Sequence, residues 1–319
     1  MSETIEAIEK YGLSKKNQPK SQFSIIGLVG CGSVGQTISR IISASGMEVH
    51  FVELSEEKVQ AAYKAIEKDL DDMINHWGMT SGEKRSILSR IKGYTDCRHL
   101  AGSDIVIEAI KSKTREQRVS QRKELFKRIE SFVRPDTIIA TNSTTVVITE
   151  LSNELKHSER CVSLHFSTTS PGANLVEVVR GLNTSVEVYE NVQKFIRMIG
   201  LKMIPVEESP GLVSVRIFAT LINEACAVLM EGVGKKEDID FAAKTSLGFS
   251  LGPFELADKI GLDKVVRWLD NLYNEFGDMK YKASPMLKRM VRASQNGRST
   301  GKGFYEYGED GRKIKNTTY

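Results

Sequence analysis

The sequence predicts an α/β fold, a Rossmann-type doubly wound sheet with an inserted helical hairpin, followed by an all-α C-terminal domain. Three observations predict it. The apolar, β-branched run Phe23 to Val29 passes straight into Gly30-Cys31-Gly32-Ser33-Val34-Gly35 and then into a helical stretch. Further strand-like runs recur across the first two thirds of the chain. From Pro210 onward the strand signal stops and helical periodicity replaces it.

Taken in order, the glycine turn leads to a helix ending near Ser45, and a second strand covers Glu48 to Leu54 after Gly46. Strand, glycine turn, helix and strand in about 30 residues make a βαβ unit. Residues 55–90 read as two charged helices interrupted near Gly78 to Gly82. That is more chain than a doubly wound sheet ordinarily spends between strands, hence the inserted hairpin. Strands recur at Asp104 to Ala109, Thr137 to Thr141, Cys161 to Phe166, Asn174 to Val179 and Met203 to Val206. Val213 to Glu231, Lys236 to Ser246, Pro253 to Ile260 and Leu262 to Phe276 read as helices punctuated by glycines. The expected organisation is an N-terminal extension (1–22), a dinucleotide-binding domain (23–208) and a helical domain (209–319).

Composition narrows the function classes. The chain has 319 residues, 27% charged and 40% hydrophobic, with a formal net charge of +4. That length suits two cores better than one. The charge is mild and mixed in sign, so it does not call for nucleic acid. No run of about 18 apolar residues occurs, which argues against a membrane span. Cys31, Cys97, Cys161 and Cys226 are far apart and form neither a disulfide framework nor a metal-ligand pair. A reducing, cytoplasmic setting is expected. The polar N-terminus, with Glu3, Glu6 and Glu9, lacks the apolar core of a secretory signal.

A G-x-G-x-x-G pattern alone says little. Here it follows a strand, opens a helix, and is followed by an acid, Glu53, at the end of the next strand. Gly30 permits the tight turn, Gly32 lets backbone approach a pyrophosphate, and Gly35 lets the helix pack on the sheet. The N–H groups that open the helix, at Ser33 and Val34, offer donors to phosphate. Glu53 can accept from both ribose hydroxyls and would repel a 2′-phosphate, so NAD is the expected cofactor rather than NADP.

Of the five histidines, His165 stands apart because it closes an apolar strand where a doubly wound sheet binds ligands. Glu177 follows inside Leu175-Val176-Glu177-Val178-Val179, where a lone acid needs a partner. An imidazole and a buried carboxylate suit hydroxyl oxidation, with the carboxylate orienting the ring. A hydrogen bond that merely holds two strands together is the other reading of such a pair.

These residues fall into a pattern. The chain resembles the NAD-dependent L-3-hydroxyacyl-CoA dehydrogenases, including the 3-hydroxybutyryl-CoA dehydrogenases, over roughly residues 23–307. The resemblance runs through the glycine turn, Ile107-Glu108-Ala109, Ala140-Thr141-Asn142-Ser143, His165-Phe166 and Leu175-Val176-Glu177-Val178. It continues through Ser209-Pro210-Gly211, Glu237-Asp238-Ile239-Asp240, Gly252-Pro253-Phe254-Glu255-Leu256-Ala257-Asp258 and Thr300-Gly301-Lys302-Gly303-Phe304-Tyr305. It implies a His165–Glu177 catalytic dyad, a substrate contact from Thr144, and cofactor contacts that add Ala109 and Asn142 to the glycine turn and Glu53. It also implies an acyl-CoA substrate, a cleft between two domains and a homodimer formed through the helical domain.

The chain departs from the family pattern at several positions. Thr144 replaces a serine, and Thr168 stands where the family has an asparagine near the nicotinamide. Val215-Arg216 replaces an Asn-Arg pair whose asparagine contacts the reacting oxygen, a donor that Ser214 or a water would have to supply. Lys111-Ser112-Lys113 replaces an acid–amide pair. The hairpin, which in the family helps hold CoA phosphates, carries Asp69, Asp71 and Asp72 among Lys58, Lys64 and Lys68. The leading expectation is reversible oxidation of a short (S)-3-hydroxyacyl-CoA. The alternatives are a dehydrogenase of a free or otherwise carried 3-hydroxy acid, and a catalytically weak NAD-binding paralogue.

Overall fold

The computed structural model describes residues 23–75, 78–110, 115–167, 174–308 and 310–314. Thr168 and Lys111 to Lys113, singled out above, lie outside the described residues. One sheet of eight strands organises the first part. Its strands are β1 (Ile25–Val29), β2 (Glu48–Val52), β3 (Ile91–Tyr94), β4 (Ile105–Glu108), β5 (Ile138–Thr141), β6 (Cys161–Phe166), β7 (Leu175–Arg180) and β8 (Lys202–Glu207). They lie in the order β3-β2-β1-β4-β5-β6-β7-β8. All neighbouring pairs are parallel except β6 with β7. The chain leaves β1 for β2 and β3 on one side and returns to β4 on the other, so strand order reverses between β1 and β4. The carboxyl ends there form the crevice where doubly wound sheets bind ligands.

Each crossover helix packs by the same arithmetic. Helix α1 (Ser33–Ala44) buries Gly35, Ile38, Ser39 and Ile42, one stripe at helical spacing. The hairpin consists of α2 (Glu56–Asn75) and α3 (Ser81–Ser89). Val59, Ala62, Ile66 and Leu70 fix α2 to the core, while a Thr80–Glu83 capping box opens α3. Strand β3, which pattern reading does not find, follows directly. It has four residues, Ile91-Lys92-Gly93-Tyr94, too short and too mixed for an apolar alternation. Gly93 is required there, since a Cβ would lie 2.5 Å from the Phe51 ring.

Helices α4 (Arg115–Phe132), α5 (Ile148–Ser152) and α6 (Val186–Met198) complete the covering of the sheet. Strand β8 tolerates Pro205 because it pairs only with β7 and forms an edge. Beyond it come α7 (Ser214–Met230), α8 (Lys236–Ser246), α9 (Pro253–Ile260), α10 (Leu262–Phe276) and α11 (Pro285–Arg292). These enclose a separate apolar core around Phe218, Ile222, Phe254, Leu269, Leu272 and Leu287. Two buried carboxylates tie its elements together. Asp240 caps α9 by accepting from the N–H groups of Phe254 and Glu255. Asp258 accepts from the N–H groups of Phe304 and Tyr305 and from the Tyr307 hydroxyl.

Candidate active site

The glycine turn sits at the carboxyl end of β1. Gly30 has φ +92°, and a Cβ on it would stand 3.0 Å from the Ala109 carbonyl oxygen at the end of β4. A Cβ on Gly35 would lie 2.3 Å from the Gly30 carbonyl oxygen. Only glycine allows both the left-handed backbone and the close approach. Gly32 precedes α1 without any side-chain cap, and the first turn of α1 holds no acidic residue. Its opening N–H groups therefore face the crevice as an anion cradle. Glu53, at the end of β2, accepts from the Cys31 N–H at 2.6 Å and from its neighbour Leu54 at 3.2 Å. The acid is thus fixed beside the turn, and the cradle and acid together fit a dinucleotide. Cys31, in the turn itself, is buried, and burial pushes its thiol up to about 12, which keeps it protonated.

His165 and Glu177 are direct cross-strand partners in the antiparallel β6–β7 ladder. His165 Nδ1 stands 2.7 Å from Glu177 Oε2. The carboxylate is 1% exposed and the imidazole 12%. Because a carboxylate only accepts, Nδ1 is the donor in this bond, and in the neutral ring the lone pair is then left on Nε2. Glu177 is held further by α7, whose N-terminus points at it. The N–H groups of Val213 and Ser214 each donate to Oε1 at 3.0 Å, and the Ser214 hydroxyl donates to Oε2 at 2.7 Å. Burial pushes the Glu177 pKa up, but the hydrogen bonds from His165 and Ser214 outweigh it and hold the pKa at about 2.

A cleft of about 540 Å³ joins these parts. One wall is Gly32, Ser33, Val34 and Ala109; the floor includes Asn142, Thr144 and His165; the other wall comes from α9 and α10. Gly30, Gly35 and Glu53 shape the turn without lining the cleft. Asn142 accepts from the Phe166 N–H at 3.0 Å through Oδ1, which locks the loop after β5 to the strand bearing His165. The two parts of the chain also meet here: the Gly211 N–H donates to the Thr144 carbonyl at 2.6 Å, and Asn271 donates to the Thr145 hydroxyl at 3.0 Å.

Val215 does not line the cleft. It is 2% exposed and packs in the helical core. Ser214 directs its hydroxyl to Glu177, so it orients the carboxylate rather than replacing an asparagine at the reacting oxygen. The hairpin acids are partly neutralised: Lys84 bonds Asp71 at 2.7 Å and Glu67 at 3.2 Å. Sequence reading also left Glu108 without a role. It is fully buried, and accepts from Arg122 at 2.9 Å, the Thr141 hydroxyl at 2.6 Å and the Ile110 N–H at 2.8 Å. The available signal was an acid ending an otherwise apolar strand.

Comparison with known proteins agrees with this architecture. The profile described as "3-hydroxyacyl-CoA dehydrogenase, NAD binding domain" matches residues 25–209, and that of the C-terminal domain matches residues 211–307. A 3-hydroxybutyryl-CoA dehydrogenase of Clostridioides difficile is 34% identical over 282 residues, covering 88% of this chain and 99% of that one. The human mitochondrial hydroxyacyl-coenzyme A dehydrogenase is 30% identical over 289 residues, covering 88% of this chain and 90% of that one. Among solved structures, an (S)-3-hydroxybutyryl-CoA dehydrogenase from Ralstonia eutropha has a TM-score of 0.80 and 35% identity, covering 90% of this chain and 100% of that one. A Rossmann-type sheet with its glycine cradle, a helical second part and these matches across nearly the whole chain have one reading: it belongs to the 3-hydroxyacyl-CoA dehydrogenase family of NAD-dependent oxidoreductases.

Proposed function

We propose that the protein interconverts a short (S)-3-hydroxyacyl thioester of CoA and its 3-keto form, with His165 and Glu177 as the catalytic dyad. The observation that carries this reading is the 2.7 Å bond between His165 Nδ1 and a buried Glu177 saturated with donors. Bound NAD supplies the hydride acceptor. Gly30, Gly32, Ser33, Val34 and Gly35 form its phosphate cradle, Glu53 takes the ribose, and Ala109 and Asn142 border the nicotinamide end. His165 Nε2 removes the substrate hydroxyl proton, and the imidazolium that forms is stabilised by Glu177. Thr144, on the floor of the cleft, donates to the substrate oxygen. Residues 23–208 act as the cofactor domain and residues 209–319 as the domain that closes the cleft and pairs with a second copy. Apolar side chains exposed on α7 and α8, Ile217 at 66% and Phe241 at 65%, support that pairing.

The test is NADH oxidation with acetoacetyl-CoA beside a His165→Ala variant. Turnover that falls by about 10²–10⁴ in the variant, with NADH binding kept, is the expected result. Absence of turnover in wild-type protein that binds NADH would remove the CoA reading. Such a result would favour a free or otherwise carried 3-hydroxy acid, or a non-catalytic role.

A further inference from the structure

The wall of the cleft formed by α9 and α10 carries charge that neither the dyad nor the cofactor cradle uses. Lys259, at the end of α9, and Lys264 and Arg267, on α10, all line it. With Arg122 they make four basic side chains on the lining, against two acidic ones, Glu108 and Asp263. Glu108 and Arg122 are committed to each other at 2.9 Å. Arg267 shares Asp263 at 3.2 Å, and Lys264 lies 4.9 Å over the Trp268 ring.

Lys259 is the group left over. It is half-buried, and among the described residues it has no ion-pair partner. Burial, with the like charge of Arg298 nearby, holds its ammonium below the usual lysine range. Asn296 also belongs to the lining of the cleft, and its buried Oδ1 has no hydrogen-bond partner among the described residues.

The placement of this wall points to the substrate. Lys264, Arg267, Trp268 and Asn271 recur at helical spacing and form one stripe of α10. Asn271 is bonded to Thr145 at 3.0 Å, so the stripe is fastened beside Thr144. From Asn271 to Lys264 it runs about 10 Å along the helix axis. On the reading above, the cofactor's phosphates are met by the N–H groups at the start of α1, where Gly32, Ser33 and Val34 line the same cleft. An apolar acyl tail would offer a half-buried ammonium nothing in exchange for its lost water, whereas a carboxylate would.

We propose that the substrate bears a carboxylate at the acyl end remote from the carbon that reacts, held by Lys259 with Lys264 and Arg267 flanking it. This rests on the dehydrogenase reading above and narrows its substrate class to 3-hydroxyacyl thioesters with an acidic chain end.

The experiment compares 3-oxohexanoyl-CoA with 3-oxoadipyl-CoA, equal in chain length but differing in the terminal carboxylate. Binding is measured by calorimetry on NAD⁺-loaded protein, where a ketone cannot react, and turnover by NADH oxidation. Wild type is expected to favour the charged thioester in both, and Lys259→Met to reduce that preference about tenfold or more. Arg267→Met is expected to shift it in the same direction. Equal or weaker binding of the charged thioester, or failure to bind it, overturns the proposal even if 3-oxohexanoyl-CoA is turned over. A rise in the NADH Kd of Lys259→Met in place of the lost preference assigns the cations to cofactor phosphates and also overturns it. Lys259-dependent binding of the charged thioester without turnover of either leaves the anion site standing and removes the dehydrogenase reading.

Discussion

Glu177 is the residue on which the geometry of the dyad turns, and its surroundings set a pH dependence. Its pKa in the folded chain, about 2, lies below its ordinary value of 4.5. A depressed carboxylate pKa stabilises the fold fully above the unfolded value, and that stabilisation is lost as pH falls through the folded value. Resistance to urea should therefore decline between pH 4.5 and about 2, and Glu177→Gln should flatten that decline. Ser214→Ala removes one donor from this carboxylate. It should destabilise the fold by about 1–3 kcal/mol in urea unfolding and lower kcat severalfold while leaving NADH binding intact. Val215 makes the opposite case. Because it packs in apolar surroundings, Val215→Asn should cost about 1–3 kcal/mol of stability and bring no gain in kcat. A clear rise in kcat would show that the amide does reach the reacting oxygen.

Between elements, the buried Glu108–Arg122 pair joins β4, α4 and β5 beneath the cofactor crevice. Arg122 also donates to the Ile110 carbonyl at 2.7 Å, so it holds both the carboxylate and the backbone that leaves β4. Removing one member leaves the other charge buried without its partner, which is the costly way to break an ion pair. Arg122→Met is expected to lose about 3–5 kcal/mol in urea unfolding and to weaken NADH binding, since Ala109 and Ile110 border the cleft. A loss below about 1 kcal/mol would show that the pair contributes little.

At the scale of the whole molecule, two cores meet across the cleft, and the helical one leaves apolar surface uncovered. Ile217, Phe241 and Leu247 are each about two thirds exposed, at 66%, 65% and 65%. Isolated exposed hydrophobes are ordinary, but several on adjacent helices need a partner surface. On the proposed pairing, wild type should sediment as a dimer and Phe241→Glu as a monomer in sedimentation velocity. A monomeric wild type would remove the pairing from the proposal. No helix among the described residues is long and apolar enough to cross a membrane.

Local periodicity determined much of this protein before any contact was known. The apolar runs of Ile25–Val29 and Cys161–Phe166, the helical stripe of α1 and the glycine turn are each written within a dozen residues, because they express local backbone geometry and burial. His165 and Glu177 were legible for a related reason: twelve residues apart, they end up opposite each other on neighbouring antiparallel strands. The rest depended on how distant segments meet. Strand β3 exists as a strand because β2 offers it an edge, while its own four residues carry no strong pattern. Ser214 became a partner of Glu177 only when α7 docked against β7, 37 residues away in sequence. Lys259, Lys264 and Arg267 look in sequence like any solvated helix charges, and folding alone brought them to the cleft that His165 also lines. A pattern can declare which face of an element is buried, but which residues face one another across a cleft follows from sheet order and domain packing, in which no single segment holds the information.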